Sequence, residues 1–202
     1  MRHSKNIAIF IGSLRKESLN RKIAKALIAL APESLSLKIV ELGGLQMYNQ
    51  DLEETLPAEW MEFRNQLKDF DGLLFITPEY NRSVPAVLKN AIDIGSKPNG
   101  KNAWDKKPGA VVSVSPGAIG GFGANHHLRQ SLSAVNIPTM QQPEAYIGNA
   151  AALFDDRGEL INDSTKSFLK KFMTEFAEWV ERNSVQEKFI VQEKRLTPAV
   201  SN

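Results

Sequence analysis

Cysteine is absent from the 202 residues of this chain. Its absence excludes disulfide bonds, thiolate nucleophiles and zinc or iron–sulfur centres ligated by cysteine. Histidine is also scarce: His126 and His127 are adjacent, so they cannot both face one ion from a helix, and His3 is distant in sequence. We therefore expect no metal site, and any redox chemistry would have to come from a bound cofactor.

The chain also lacks an excess of one charge and any long apolar run. Lys and Arg total 25 against 23 Asp and Glu, and they are scattered, which argues against a nucleic-acid-binding face. The first apolar run stops at Gly12 and meets Arg15, so it is too short for a signal peptide and better fits a strand. No run approaches a membrane span. We expect a cytoplasmic protein that does not act on membranes.

Length and composition favour a single folded domain. A hydrophobic content of 42% with 24% charged residues is typical of a soluble globular protein with a full core. We predict one domain over residues 1–183, followed by a C-terminal tail of unknown role over residues 184–202.

Short apolar runs alternate with helical patterns along the chain. The runs lie at residues 7–11, 37–40, 72–77, 109–115 and 145–148, and their continuity is typical of strands buried on both faces. Apolar residues at helical spacing, such as Trp60, Phe63 and Leu67, separate them. This alternation predicts a doubly wound α/β fold, flavodoxin-like, with three layers and a five-stranded parallel sheet of order 2-1-3-4-5. Ligands would then meet the loops after strands 1, 3 and 4.

The strand-1 loop (residues 12–20) carries polar side chains at a predicted helix N-terminus. Ser13, Ser18 and Asn20 offer hydroxyl and amide groups beside free backbone N–H groups, and Arg15 adds a planar cation. The alternative is that Ser18 only caps the helix and that Arg15 is a solvated surface residue. The loop has neither the three glycines of a dinucleotide site nor a P-loop pattern. It therefore predicts the monoester phosphate of a mononucleotide-sized ligand.

Two further loops would frame a planar group. The strand-3 loop (residues 77–85) presents Glu79, Tyr80 and Asn81 after Pro78, which suits the edge and face of a heterocycle, although an ordinary polar turn is the alternative. The strand-4 loop (residues 115–121) is rich in glycine, which allows close backbone approach to a flat ligand; a flexible surface loop is its alternative.

The motifs GSLRKESLNRKIA, TPEYNRSVPAVLKNAID and SPGAIGG together resemble the NAD(P)H-dependent FMN reductase family, which includes chromate and quinone reductases. The resemblance spans roughly residues 5–150. It implies that the FMN phosphate is held by the first loop and that the isoalloxazine is lined and bordered by the other two. The implied cofactor-binding residues are Ser13, Arg15, Ser18, Leu19, Asn20, Pro78, Glu79, Tyr80, Asn81, Ser115, Pro116, Gly117, Gly120 and Gly121.

The resemblance further implies an FMN-dependent oxidoreductase that takes hydride from NADPH or NADH. It would reduce quinones or similar small-molecule acceptors, such as flavin, chromate or azo compounds, by a ping-pong mechanism. No side chain is implied as a catalytic acid or base. The family is usually dimeric or tetrameric. Glu144 matches a tetramer contact of related quinone reductases, but the residues that usually pair with it are absent here.

Two other classes remain open on the sequence. One is a flavodoxin-type carrier of single electrons, although such carriers are commonly acidic and this chain has a net charge of +2. The other is a non-catalytic flavin-binding regulatory protein. A homodimer is also expected from the helix that begins near Pro85, because its apolar positions Val84, Val87, Leu88, Ala91 and Ile92 exceed one core-facing stripe.

Overall fold

A computed structural model of the chain describes residues 4–196, with side chains described up to residue 184. Its centre is a parallel five-stranded sheet with the order β2-β1-β3-β4-β5. The strands are β1 (Lys5–Ile11), β2 (Leu35–Val40), β3 (Gly72–Thr77), β4 (Gly109–Val114) and β5 (Ala145–Ile147). Every residue of β3 and β4 is buried, which explains their unbroken apolar runs. The predicted fold and strand order are confirmed.

Within residues 4–196, five α-helices cover the two faces of the sheet. They are α1 (Leu19–Leu30), α2 (Ala58–Leu67), α3 (Ala86–Ser96), α4 (Phe122–Ala134) and α5 (Asp163–Leu196). On one face α1 and α5 pack their apolar stripes on the sheet, with residues such as Leu27 and Phe172 fully buried. On the other face α2, α3 and α4 do the same around an aromatic cluster that includes Phe10 and Trp104, whose ring centroids lie 5.3 Å apart. The result is a three-layer sandwich with two cores.

The last helix bears on the predicted domain boundary. α5 runs without interruption from Asp163 to Leu196, so the predicted boundary between residues 183 and 184 falls inside a helix. Side chains of the predicted tail beyond residue 184, and residues 197–202 altogether, lie outside the described part of the chain. The division into domain and tail stays a prediction. Among the described residues, no helix is both long enough and apolar enough to span a membrane.

Candidate functional site at the carboxyl edge of the sheet

The strand-1 loop turns directly into α1 and leaves backbone donors free. Ser18 is the N-cap of α1: its Oγ accepts a hydrogen bond from the Arg21 amide at 3.3 Å. Within the described residues, no acceptor pairs with the amide N–H groups of Leu19 and Asn20 at the start of the helix. The Ser18 hydroxyl can still donate its proton while its oxygen accepts. Capping and anion binding are therefore compatible roles for Ser18.

Buried polar side chains surround these free amides. Ser13, Ser18 and Asn20 are each no more than 5% exposed. The Oδ1 atom of Asn20 is buried and has no hydrogen-bond partner among the described residues, which is uncommon for a buried polar atom. If the side-chain amide flips, its NH₂ group takes this position and can donate to a ligand. Arg15 is exposed and forms no ion pair with any described residue. These groups fit a phosphate monoester at a helix N-terminus.

The strand-1 loop and the strand-3 loop touch each other at Gly12. Its amide donates to the carbonyl of Ile76 at 2.8 Å, and a Cβ atom at this position would lie 3.0 Å from Cδ of Pro78. A side chain at this position would therefore be tightly packed, and Pro78 would have to shift by a few tenths of an ångström. Gly12 therefore allows the strand-1 loop and the strand-3 loop to pack closely; it is not part of a dinucleotide-binding glycine motif.

The strand-3 loop is a tight turn that presents Tyr80 and Asn81 outward. The amides of Tyr80 and Ser83 each donate to the carbonyl of the other, at 3.1 and 2.9 Å. Asn81 and Arg82 between them have φ angles of 49° and 65°. Tyr80 is 50% exposed, so its ring is available to a ligand. Ser83 closes this turn, and the N-cap of α3 is Pro85.

Glu79 faces away from this exposed edge, toward α4. Its Oε2 accepts from the amide of Ala124 at 3.0 Å, and its Oε1 accepts from Arg82 at 3.0 Å. Burial alone would raise the pKa of Glu79, but the hydrogen bonds from the α4 backbone and from Arg82 outweigh it and lower the pKa. Glu79 is thus a fixed carboxylate at the N-terminus of α4, and only its backbone is left for a ligand in the predicted site.

The strand-4 loop crosses the same edge as an exposed turn, in which the Gly120 amide donates to the carbonyl of Gly117 at 3.3 Å. Residues 116–119 are exposed, and the Gly117 amide donates to Oγ of Ser115 at 3.0 Å. Gly120 and Gly121 have φ angles of 66° and 75°, which glycine adopts without strain. A Cβ at Gly120 would lie 2.7 Å from the carbonyl carbon of Tyr146. The glycines therefore fix this loop against β5 rather than making it flexible.

The sequence interpretation missed the loop that follows β5. The backbone N–H of Asn149 donates to the carbonyl of Gly117 at 3.1 Å, and the backbone N–H of Ala150 donates to the carbonyl of Ser115 at 3.1 Å. Gly148 approaches the carbonyl of Ala118 too closely for any Cβ. The Gly148–Asn149 pair directly after the apolar AYI run is a turn signal, and it could have predicted the loop that supports the strand-4 loop.

The loop after β2 is a second element that the sequence interpretation missed. The buried side chain of Asn90 on α3 accepts from the amide of Tyr48 at 2.8 Å and donates to the carbonyl of Gln46 at 3.1 Å. At the other end of that loop, Gly43 lies against the side chain of Leu14 in the strand-1 loop. Asn90 thus anchors a segment that borders the predicted phosphate loop.

All three ligand loops expose apolar side chains. Leu14, Tyr80, Ile119 and Phe122 are each at least 50% exposed, on or directly beside the loops after β1, β3 and β4. Exposed large apolar groups gathered at one edge of a protein are typical of a binding surface. Such a surface suits a planar ligand or a second subunit.

Glu144 lies beside Tyr146 near the strand-4 loop. Burial, and then a hydrogen bond with Glu144, raise the pKa of Tyr146 to about 12. The Tyr146 hydroxyl also contacts Nε2 of His126 at 3.0 Å. Within the described residues, no three His, Asp or Glu side chains are grouped closely enough to hold a metal ion.

A surface groove lies elsewhere, along α1. It has a volume of about 490 Å³ and shares Ser18 with the predicted phosphate loop. Its lining mixes cations, such as Lys22 and Arg157, with carboxylates, such as Glu17 and Glu159. We assign the ligand to the carboxyl edge of the sheet instead, since free amides, buried hydroxyls and apolar groups converge there.

Comparisons with known proteins show the family to which this chain belongs. The family model described as NADPH-dependent FMN reductase matches residues 5–152. A quinone reductase of Pseudomonas putida is 60% identical over 179 residues, covering 88% of this chain and 96% of that protein. A 2-hydroxy-1,4-benzoquinone reductase of Burkholderia sp. is 44% identical over 174 residues, covering 86% and 95%. The solved structure of FerB, a flavoenzyme NAD(P)H:(acceptor) oxidoreductase of Paracoccus denitrificans, superposes with a TM-score of 0.84 at 40% identity, covering 89% and 98%.

Proposed function

Since this chain belongs to the NADPH-dependent FMN reductase family, we propose that it is a quinone reductase in which donor and acceptor use one flavin site in turn. Quinones are the acceptors named for the similar proteins of Pseudomonas putida and Burkholderia. Flavin, chromate and azo compounds are further acceptors in this proposal. Bound FMN would supply the two-electron redox chemistry, and the protein would supply binding, orientation and electrostatics.

One observation carries the cofactor assignment: the monophosphate site at the start of α1. The residues proposed to hold the phosphate are Ser13, Arg15, Ser18, Leu19 and Asn20. They combine buried polar groups with amides and a guanidinium that have no partner among the residues that the structure describes. The loop has one glycine where a dinucleotide site would have three. This composition supports FMN rather than FAD.

The ring would lie between the other two loops. Pro78, Tyr80 and Asn81 are proposed to line it together with the backbone of Glu79, and the strand-4 loop is proposed to border it through Ser115, Pro116, Gly117, Gly120 and Gly121. The half-exposed ring of Tyr80 supports stacking, and the exposed course of residues 116–119 leaves room for a second planar molecule. No side chain is proposed as a catalytic acid or base.

We also propose that the protein works in the cytoplasm as a homodimer or homotetramer. The exposed apolar residues beside the site, such as Ile119 and Phe122, support an interface there. The partners in this proposal are small-molecule electron donors and acceptors, with no nucleic acid and no membrane.

The function is tested by reducing the protein without oxygen. Flavin released by heat and separated by chromatography should be mainly FMN. NADPH or NADH should then bleach the bound flavin without a partner protein, and a quinone should restore its colour. Recovery of mainly FAD contradicts the cofactor assignment. A flavin that is present but not bleached contradicts the reductase assignment and favours a single-electron carrier or a regulatory protein.

A further inference from the structure

The turn that presents Tyr80 and Asn81 adopts an unfavourable backbone conformation. Asn81 and Arg82 both lie in the left-handed region, with φ angles of 49° and 65°. Asparagine tolerates this region, but arginine rarely adopts it, because its Cβ comes too close to the following carbonyl oxygen. Such a conformation persists only where the surroundings fix it.

Two side chains that flank the turn fasten it to the first two turns of α4. Before it, Glu79 accepts from the Ala124 amide at 3.0 Å. After it, Oγ of Ser83 makes a 2.9 Å hydrogen bond with Nδ1 of His127. Ala124 and His127 are three residues apart and so share one face of the helix. We call these four residues the α4 clamp.

α4 is itself built to receive the Glu79 carboxylate. Its N-cap, Gly121, has no side chain that could cap the helix. A Cβ at Gly123 would lie 2.9 Å from Oε2 of Glu79, so glycine at that position makes room for the carboxylate. A negative charge at a helix N-terminus meets free amides and the positive end of the helix dipole. Glu79 therefore caps α4 from a different loop.

The helix offers the clamp a rigid base. The fully buried side chain of Asn125 donates to Oγ of Ser113 at 3.2 Å and to the carbonyl of Ala145 at 3.2 Å, which ties α4 to both β4 and β5. One turn later, Arg129 donates to the carbonyl of Met140 at 2.8 Å. A turn fastened to α4 is thereby fastened to the sheet and to the strand-4 loop.

We propose that Glu79, Ser83 and His127 are positioning residues, which hold the strained turn so that Tyr80 and Asn81 are preorganised for FMN. Glu79 acts through Ala124 and the turn, and its side chain does not contact the ligand. The inference rests on the proposed function for the identity of the ligand. Preorganisation removes an ordering cost from binding, so loss of the clamp weakens FMN binding without removing a direct contact.

The test combines Glu79→Gln with two substitutions of the strained residue. Glu79→Gln removes charge-assisted hydrogen bonds, and we expect FMN to bind about tenfold more weakly to the apoprotein. Arg82→Gly added to Glu79→Gln should restore most of the affinity, because glycine adopts the turn without strain. Arg82→Ala added to Glu79→Gln should restore none of it, since alanine keeps a Cβ. Both substitutions of Arg82 remove the same guanidinium.

A matched control separates the clamp from the ion pair between Glu79 and Arg82. Arg82 is 78% exposed, so its ion pair should contribute little. Arg82→Ala alone should leave the FMN dissociation constant within about twofold of wild type. All of these constants are measured by quenching of FMN fluorescence on titration with apoprotein.

A second readout needs no flavin. The amides of Tyr80 and Ser83 bond to each other's carbonyls across the turn, so their hydrogen exchange in the apoprotein reports its opening. We expect exchange about tenfold faster in Glu79→Gln and a smaller acceleration in Ser83→Ala, which also serves if Glu79→Gln does not fold. Wild-type exchange rates in both variants overturn the clamp, as does equal rescue by Arg82→Ala and Arg82→Gly. If the protein binds a ligand other than FMN, exchange still decides the clamp, and only the proposed function fails.

Discussion

Arg15, in the strand-1 loop, is exposed and forms no ion pair within the described part of the chain. Its charge-assisted hydrogen bonds to a phosphate should contribute about 1.5 to 3 kcal/mol, so Arg15→Ala should weaken FMN binding roughly 10- to 150-fold. Arg15→Lys should recover only part, because an ammonium group cannot form the bidentate contact. Lys16→Ala, at the next exposed cation, is the control for lost charge alone. Equal FMN affinities for Arg15→Ala and wild type in a fluorescence titration would refute the phosphate assignment.

Glu79 makes stability depend on pH with a definite sign. Its pKa is lowered in the folded protein from the ordinary value of 4.5, so the folded state favours the carboxylate. Its contribution is fully present above about pH 4.5 and is lost as the pH falls through the lower folded pKa. Urea unfolding should show wild type more stable than Glu79→Gln at pH 7, with the gap closing in acid. A gap that stays constant down to pH 3 contradicts the capping role.

At the scale of single residues, the local sequence indicated which roles a polar side chain could have, but not the direction in which the side chain points. Both roles considered for Ser18, helix cap and phosphate ligand, follow from its place before an apolar helix; the cap is observed, and the phosphate contact stays a prediction. The direction of Glu79 could not be predicted, since its partner Ala124 lies 45 residues further along the chain. Asn90 was missed for the same reason: its partners are 42 to 45 residues away in the loop after β2.

Among the loops and strands, the junction between the strand-4 loop and β5 depends on Gly120. A side chain there meets the Tyr146 backbone and must adopt a φ of 66°. Gly120→Ala should destabilise the protein by at least about 2 kcal/mol through overpacking and strain, and should weaken FMN binding. In Gly117→Ala, the matched change in the same loop, the new Cβ would have only Ser115 Oγ nearby, at 3.5 Å. Urea unfolding of both variants checks this, and equal stabilities contradict it.

The strands were predictable because parallel strands buried on both faces leave continuous apolar runs. The run predicted at residues 72–77 coincides with β3, and the one at 109–115 extends one residue past β4. The start of β2 was less visible: the prediction began at residue 37, whereas the strand begins at Leu35. Residues 36 to 39 of this edge strand are only partly buried or exposed, so burial leaves a weaker pattern there.

At the scale of the whole molecule, part of the reasoning behind the predicted dimer was wrong. Leu88, Ala91 and Ile92 are buried within the subunit, at most 2% exposed, because α3 packs against its neighbours on that face of the sheet. Only Val84 and Val87 of the predicted interface set are partly exposed. A sequence pattern counts apolar positions but does not separate burial within a subunit from burial between subunits. The homodimer stays a prediction.

Oligomerisation now depends on the apolar residues beside the ligand loops. Phe122 and Ile119, which are 50% and 63% exposed, are the best candidates for contact with a second subunit. Light scattering at micromolar concentration should give the mass of a dimer or tetramer, and Phe122→Ser should shift it toward the monomer. Lys25→Ser, on the distant outer face of α1, should leave the mass unchanged. A monomer in the wild-type protein refutes this prediction.

The whole molecule also determines the kinetic pattern. The carboxyl edge of the sheet brings three loops together, and we propose that they form a single flavin site. If donor and acceptor occupy that site in turn, double-reciprocal plots of rate against NADPH concentration should be parallel at several quinone concentrations.

Excess quinone should compete with NADPH for the oxidised enzyme and inhibit turnover, since both would stack over the same ring. Intersecting lines would mean that donor and acceptor are bound at the same time, which contradicts the proposed ping-pong mechanism. Negligible NADPH-driven turnover in protein shown to hold FMN would instead favour a single-electron carrier with the same fold.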